Sequence, residues 1–228
     1  MASEPRSGAR ASRRDEILDT FTRHVAQSGY DGTNFGDIAA ELGMSKGTIV
    51  HHFGTKDKLL AALHEGYMQR RLDEAVEIVN RLKSPAEKLA GLIAAFVFYQ
   101  THDRYSTIAF QREVVRSRTE PEMDGARRLR DKYRDLVVGV MQAGMADGSF
   151  RMGDPRLWTL QIFGGTQWMW TWFDPDGKAS SEEVASSFVD LALGGLLVRR
   201  APLDRLKALD GPVLSEVRKV LDGHHIPA

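Results

Sequence analysis

TNFGDIAAELGMSKGTIVHHF, Thr33 to Phe53, reads as a short helix, a tight turn and a second short helix. Phe35, Ile38, Ala39 and Leu42 fall at the i, i+3, i+4, i+7 spacing that lines up one helical face. Gly43 breaks the run, as glycine does where the backbone needs positive φ just past a helix end. Ser45 can then cap the next helix, its hydroxyl accepting an orphan backbone N–H. Ile49 and Phe53 on that second helix point back at the first, which leaves Lys46, Thr48, His51 and His52 facing out. One apolar side that clamps a helix in place, opposite a polar and cationic side, suits contact with phosphates and base edges. Counted from Phe35, a small residue falls fifth (Ala39), glycine ninth (Gly43) and a branched aliphatic fifteenth (Ile49). That is the steric pattern of a helix-turn-helix, whose second helix enters a major groove.

Upstream, a helix from about Arg13 to Ser28 stacks Ile17, Phe21 and Val25 at i+4 intervals and carries Asp15, Glu16 and Asp19 in its opening turns, where carboxylates suit the positive end of the helix dipole. Gly29 ends it, and Tyr30 reads as a plug over a three-helix core. Residues 1–12, rich in Ala, Ser, Gly and Arg, are expected to be a disordered arm, either a plain solvated terminus or an arginine arm for a minor groove. Downstream, Gly54 closes the second short helix and Thr55 caps a long fourth helix to about Lys83. The pattern makes this helix the one link between the N-terminal module and the remainder.

The run GMSKGTIVHHFGTKDKLL, residues 43–60, with the upstream TNFGDIAAEL, resembles the DNA-binding domain of the tetracycline-repressor (TetR) family of bacterial regulators. The resemblance implies an all-α homodimer: a three-helix helix-turn-helix domain over residues 13–56, and a larger helical effector-binding and dimerisation domain over 57–228. It assigns DNA contact to Thr33, Asn34, Ser45, Lys46, Gly47, Thr48, Val50, His51, His52 and Lys56. Two positions depart from the family's habit: Val50 stands where an aromatic usually precedes His-His-Phe, and Gly36 where a basic residue often precedes Asp-Ile-Ala.

Charge balance counts against nucleic-acid binding without excluding it. The 228 residues carry 31 basic and 31 acidic side chains, and residues 1–60 balance as well, so affinity for DNA must come from where charges sit. Arg6, Arg10, Arg13 and Arg14 before the first helix face only Glu4. The absence of cysteine rules out disulfides and thiolate chemistry. No apolar leader opens the chain, and runs such as LIAAFVFY (Leu92 to Tyr99) fall short of the ~20 residues a bilayer span needs. A soluble cytoplasmic protein is expected.

The rest of the chain reads as helices. Pro85 opens a fifth whose Leu89, Leu92, Ile93, Phe96, Val97 and Tyr99 cover more than one face, the mark of burial on several sides. A sixth, Ser106 to Arg118, is read with Ile108, Phe110, Val114 and Val115 inside and Arg112, Arg116 and Arg118 outside. Pro121 opens a seventh, to about Ala146, bearing a mixed-sign run around Arg127 to Asp135. Such a run is usually a solvated face, although some of its arginines could rim a pocket for a large anion. All four tryptophans lie between Trp158 and Trp172, and Gly164 and Gly165 make best sense if another helix comes very close. With a further helix over about Ser181 to Val198, this segment is expected to form half of a four-helix dimer bundle through Leu160, Gly164, Gly165, Phe188, Leu191 and Gly195. Residues 201–228, broken at Gly211-Pro212, add one or two short helices.

Phe96, Tyr99, His102, Phe110, Arg112, Trp168 and Trp172 are the candidate effector contacts. QREVVRSRTEP, the Gly-Ser-Phe turn and the WFDPDG ending look like relatives that sense acyl-CoA thioesters in fatty-acid or sterol breakdown. The expected function is a ligand-responsive repressor that binds a palindromic operator. The alternatives are a helical ligand-binding bundle that binds no operator, and a regulator of a drug-like or other lipophilic molecule. No hydrolase, metalloprotease, P-loop or dinucleotide motif is present. The sequence therefore names no catalytic residue and no cofactor, and His224-His225 has no second cluster to make a metal site.

Overall fold

The computed structural model describes residues 12–116 and 120–224. Those residues form α1 (Arg13–Gly32), α2 (Phe35–Glu41), α3 (Lys46–Phe53), α4 (Lys56–Arg81), α5 (Pro85–His102), α6 (Arg104–Glu113), α7 (Asp124–Ala146), α8 (Pro155–Gln167), α9 (Ser181–Leu196), α10 (Leu203–Lys207) and α11 (Pro212–His224). Single 3₁₀ turns at Pro121–Met123 and Met169–Thr171 adjoin α7 and α8, and the one β contact among the described residues is an isolated bridge between Phe150 and Leu197. The arg-rich arm residues Arg6 and Arg10, and also Arg118 and His225, lie outside the described residues.

Local chemistry sets most helix starts. Ser12 with Asp15, Ser84 with Glu87 and Ser180 with Glu183 close reciprocal capping boxes on α1, α5 and α9. Asn34, Ser45, Thr55 and Asp154 cap α2, α3, α4 and α8 through single side-chain acceptors. Gly43, with φ of 60°, makes the turn between α2 and α3 at no steric cost. Gly29, at φ 74° and ψ 170°, breaks α1 where the sequence expected its end, but a last helical turn resumes and carries the element to Gly32.

Two apolar cores form. The first joins Ile17, Phe21 and Val25 of α1 to Ile38, Ile49 and Phe53 of α2 and α3 and to Leu59, Leu60 and Leu63 of α4. The second gathers α5 at its centre, with α4, α7, α9 and α11 around it. The expectation that α4 alone links the two parts is corrected, because α1 also lies along α6. Ala109 of α6 and Met123 belong to the first core. The Tyr30 N–H donates to Glu113 Oε1 at 2.9 Å, Arg112 Nη1 to the Ala26 carbonyl at 3.2 Å, and Arg116 Nη2 to Asp31 at 2.6 Å.

Other sequence expectations shift for the same reason. α6 stops at Glu113, and Val115, expected inside, is 71% exposed. Arg112, expected outside, bonds to α1 and lies 5.4 Å from the Trp170 ring centre. The C-terminal segment breaks at Gly211-Pro212 as the sequence implied, giving α10 and α11.

Candidate functional sites

α3 stands on α2 through Ile49 and Phe53, both buried, and turns Lys46, Gly47, Val50, His51 and His52 to solvent. Ser45 Oγ accepts from the Thr48 N–H at 3.1 Å and lies 3.0 Å from Thr48 Oγ1, which holds the half-buried Thr48 at the helix start. Asn34 is exposed but committed to capping: its Oδ1 accepts from Gly36 and Asp37, and its Nδ2 donates to Asp37 at 2.6 Å.

Two residues assigned to DNA contact are placed otherwise. The Thr33 side chain is buried and its hydroxyl donates to the Gly29 carbonyl at 2.8 Å, so it faces the protein. Lys56 Nζ donates to the Tyr30 and Thr33 carbonyls, each at 2.8 Å, and sits 4.1 Å from the Tyr30 ring centre. It clamps the α1–α2 connection from the start of α4. Tyr30 itself is the expected plug, buried and with its hydroxyl donating to Asp57. At Gly36 a Cβ would lie 2.9 Å from the Asn34 Oδ1 that caps α2, and also 2.9 Å from Lys46 Cε, although that exposed lysine end can move aside.

The second site is a narrow cavity of about 30 Å³, partly open to solvent, between five helices, which must widen to admit anything larger than water. α4 supplies Tyr67, Met68 and Arg71, and α5 supplies Phe96; α6 brings Phe110 and Gln111, α7 Arg130 and Tyr133, and α8 Phe163 and Gln167. Its aromatic lining interlocks, with Phe96 5.3 Å from Phe163 and 5.4 Å from Tyr133 between ring centres, and Tyr67 stacked on Phe110 at 4.5 Å. Behind Phe110 lies His64, fully buried, its ring 4.9 Å away. Burial, with Arg130 as the lesser cause, pushes the His64 pKa down to about 4, so the ring is neutral near pH 7.

An ionic cluster lies beside this cavity. Arg71 is 5% exposed, with Nε and Nη2 both 3.0 Å from the Glu74 carboxylate and Nη2 3.3 Å from Asp103. Asp103 also meets Arg70 at 3.1 Å. Burial pushes Glu74 above the ordinary carboxylate value, with Arg71 opposing. For Asp103 burial acts in the same direction, but Arg71 and Arg70 outweigh it and hold the carboxyl below its usual value.

Of the candidate effector contacts, the cavity brings together Phe96 and Phe110 only. Tyr99 is buried under the Arg71 guanidinium, 4.0 Å from its ring centre. His102 sits 3.3 Å from Asp222 and ties α5 to α11, while Arg112 is held by α1. Trp168 and Trp172, at 64% and 52% exposure, lie outside the cavity. Tyr67, Arg71, Gln111, Tyr133, Phe163 and Gln167 were missed as wall residues. For Arg71 a signal existed: Tyr67, Arg71 and Glu74 share one face of α4 with Leu60 and Leu63, which places a charged pair on an apolar stripe.

The third feature is an apolar surface on α8 and α9. Leu160 and Leu191 are exposed, Trp172 stacks on Phe188, and Gly164, Gly165 and Gly195 are open. A Cβ on Gly164 or Gly195 would meet nothing within 4 Å. Among the described residues no group of three or more His, Cys, Asp or Glu could hold a metal, and His224 pairs with Glu77 at 2.7 Å.

A helix-turn-helix module carried on the helices that wall an internal cavity is the architecture of a one-component regulator. Residues 17–63 match the family described as bacterial regulatory proteins, tetR family, and residues 82–196 match the tetracyclin repressor-like C-terminal domain. The chain belongs to the TetR family of bacterial regulators. It is 29% identical to the HTH-type transcriptional repressor KstR2 of Mycolicibacterium smegmatis over 187 residues, 82% of this chain and 91% of that one. The structure of AibR in complex with isovaleryl coenzyme A and operator DNA is similar at a TM-score of 0.73 and 25% identity, over 79% of this chain and 97% of that one. Bacillus subtilis FadR in complex with stearoyl-CoA is similar at a TM-score of 0.68 and 25% identity, over 79% and 97%.

Proposed function

We propose that this protein is a cytoplasmic repressor that holds a two-fold symmetric operator as a homodimer and releases it when an acyl-CoA thioester fills the cavity. One observation carries the reading: the cavity wall includes α4 and α6, the two helices on which the N-terminal module rests. A ligand that prefers one arrangement of α4 and α6 shifts the module by no more than that preference in free energy. The AibR and FadR structures, each with a CoA thioester bound, support the ligand class. So does the wall, where aromatics suit an acyl group and Arg130, Gln111 and Gln167 suit a polar, anionic carrier.

Operator contact is assigned to Lys46, Gly47, Thr48, Val50, His51 and His52, with Ser45 and Asn34 at the helix starts. The dimer is assigned to the exposed surface of α8 and α9, where Trp168 and Trp172 join Leu160, Phe188 and Leu191. Pairing there by a two-fold axis would present two α3 helices to successive major grooves. A mobility-shift titration tests the reading. Operator affinity should fall steeply with salt and fall again on adding an acyl-CoA, and Leu191→Glu should lower it by yielding monomers in light scattering. Operator binding untouched by any acyl-CoA would refute the ligand, and salt-independent binding would refute the interface.

A further inference from the structure

We propose that Arg71 reads a neutral oxygen acceptor, a ketone carbonyl or a hydroxyl, on the buried end of the effector, so that the protein prefers an oxygenated acyl group to a plain hydrocarbon one. The inference rests on the reading that the cavity holds the effector. Arg71 forms part of the wall, and while its Nε and Nη2 meet carboxylates, its Nη1 is buried with no acceptor. A guanidinium carries five N–H donors, and a buried donor left unmade is costly. The group is also held in place before any ligand arrives, by Glu74 along one edge and by the Tyr99 ring 4.0 Å beneath it. Such fixed donors favour binding because little ordering remains to be done. The Tyr133 hydroxyl, buried in the same wall, is a second polar group on that side of the cavity.

Charge decides which acceptor fits. Glu74 and Asp103 already face Arg71 and Arg70, so a carboxylate on the ligand's buried end would enter a cluster that is balanced and poorly solvated. A carbonyl or hydroxyl takes the N–H without adding charge. A wall of hydrocarbon alone would have suited a saturated chain; a buried guanidinium in it does not.

The test uses the full chain and matched ligands at chain lengths from butyryl to dodecanoyl: the saturated acyl-CoA, the form with a ketone at the penultimate carbon, and the ω-carboxylate. Each acyl group is also offered as its N-acetylcysteamine thioester, which lacks the nucleotide. Dissociation constants come from calorimetric titration and operator release from mobility shift. At the best length the ketone should bind the wild type about tenfold tighter than the hydrocarbon, equivalent to ~1.4 kcal/mol. That ratio should fall towards one in Arg71→Lys. If Arg71→Lys does not fold, the double variant Arg71→Met, Glu74→Met removes both charges of the buried pair together and reads the same ratio. Equal binding of ketone and hydrocarbon, tighter binding of the carboxylate, or a preference that survives in a folded variant overturns the inference. CoA thioesters that release operator without any preference overturn it while leaving the acyl-CoA reading intact. A preference among the N-acetylcysteamine thioesters alone upholds it and refutes the CoA carrier, and binding by neither series refutes both.

Discussion

The two cores of this chain bury different things. Around α1, α2 and α3 the interior is aliphatic and aromatic, and of the three buried threonines there Thr22 and Thr33 donate to carbonyls one helical turn back while Thr20 accepts from Arg23. The core of α4, α5, α6 and α7 takes in the same kinds of apolar residue and also His64, Arg71, Glu74, Gln100 and Tyr133, and it leaves a cavity. The described buried polar atoms without a hydrogen-bond partner lie on those four helices. Native interiors rarely leave such groups unmet, and where they do a ligand or water is the usual complement. The N-terminal module is complete as a packed body, and the second core is finished by what enters it.

The largest expected effect comes from making one change in both places. Phe21 is fully buried in the first core, so Phe21→Ala should cost about 3–5 kcal/mol, through lost burial and the cavity left behind. Phe163 is partly buried and borders the cavity. Phe163→Ala should therefore cost less, roughly 1–2 kcal/mol, because the ring is already partly exposed and its removal opens a space that solvent can reach. Urea melts of the two variants measure the difference. Equal losses would mean that the second core is packed as tightly as the first.

A pH series sharpens the contrast. The folded pKa of His64 lies at about 4 against 6.5 unfolded, so between those values the unfolded chain binds the extra proton. The contribution of a neutral His64 is fully present above pH 6.5 and is lost as the pH falls towards 4, a change on the order of 3 kcal/mol. Glu74 acts in the opposite direction, since its raised pKa favours the fold at low pH. Subtracting the profile of His64→Leu from that of the wild type isolates the histidine. A difference that stays flat from pH 4 to 7 would show that His64 is not held neutral by its burial.

How legible each part was follows from the same physics. α1, α2 and α3 are ordered by caps, a glycine turn and i+4 apolar contacts, all local in sequence, and Ser45, Gly43 and Ile49 could be read directly. The cavity is assembled from single residues on five helices, and no local spacing tells that Tyr67 faces Phe110 or that Phe96 faces Phe163. Composition misled there: the tryptophans drew attention as lining, but Trp168 and Trp172 are at the surface. The link between α1 and α6 was hidden for a related reason, because Glu113 and Tyr30 meet across more than eighty residues of chain.

The smallest expected effects separate two lysines that the sequence treated alike. Lys46 ends at solvent over Gly36, so Lys46→Met should weaken operator binding at every sequence and reduce the slope of log affinity against log salt by about 1, while leaving the melting temperature nearly unchanged. Lys56 has two backbone carbonyls as partners, which its methionine variant would leave unmet in a half-buried place, at a cost of about 1–2 kcal/mol. Its signature is therefore a lower melting temperature with the salt slope preserved. Each lysine thus has a readout that the other should not move. A lowered salt slope in Lys56→Met without loss of stability would return that residue to the operator and leave the α1–α2 connection held by Tyr30 and Thr33 alone.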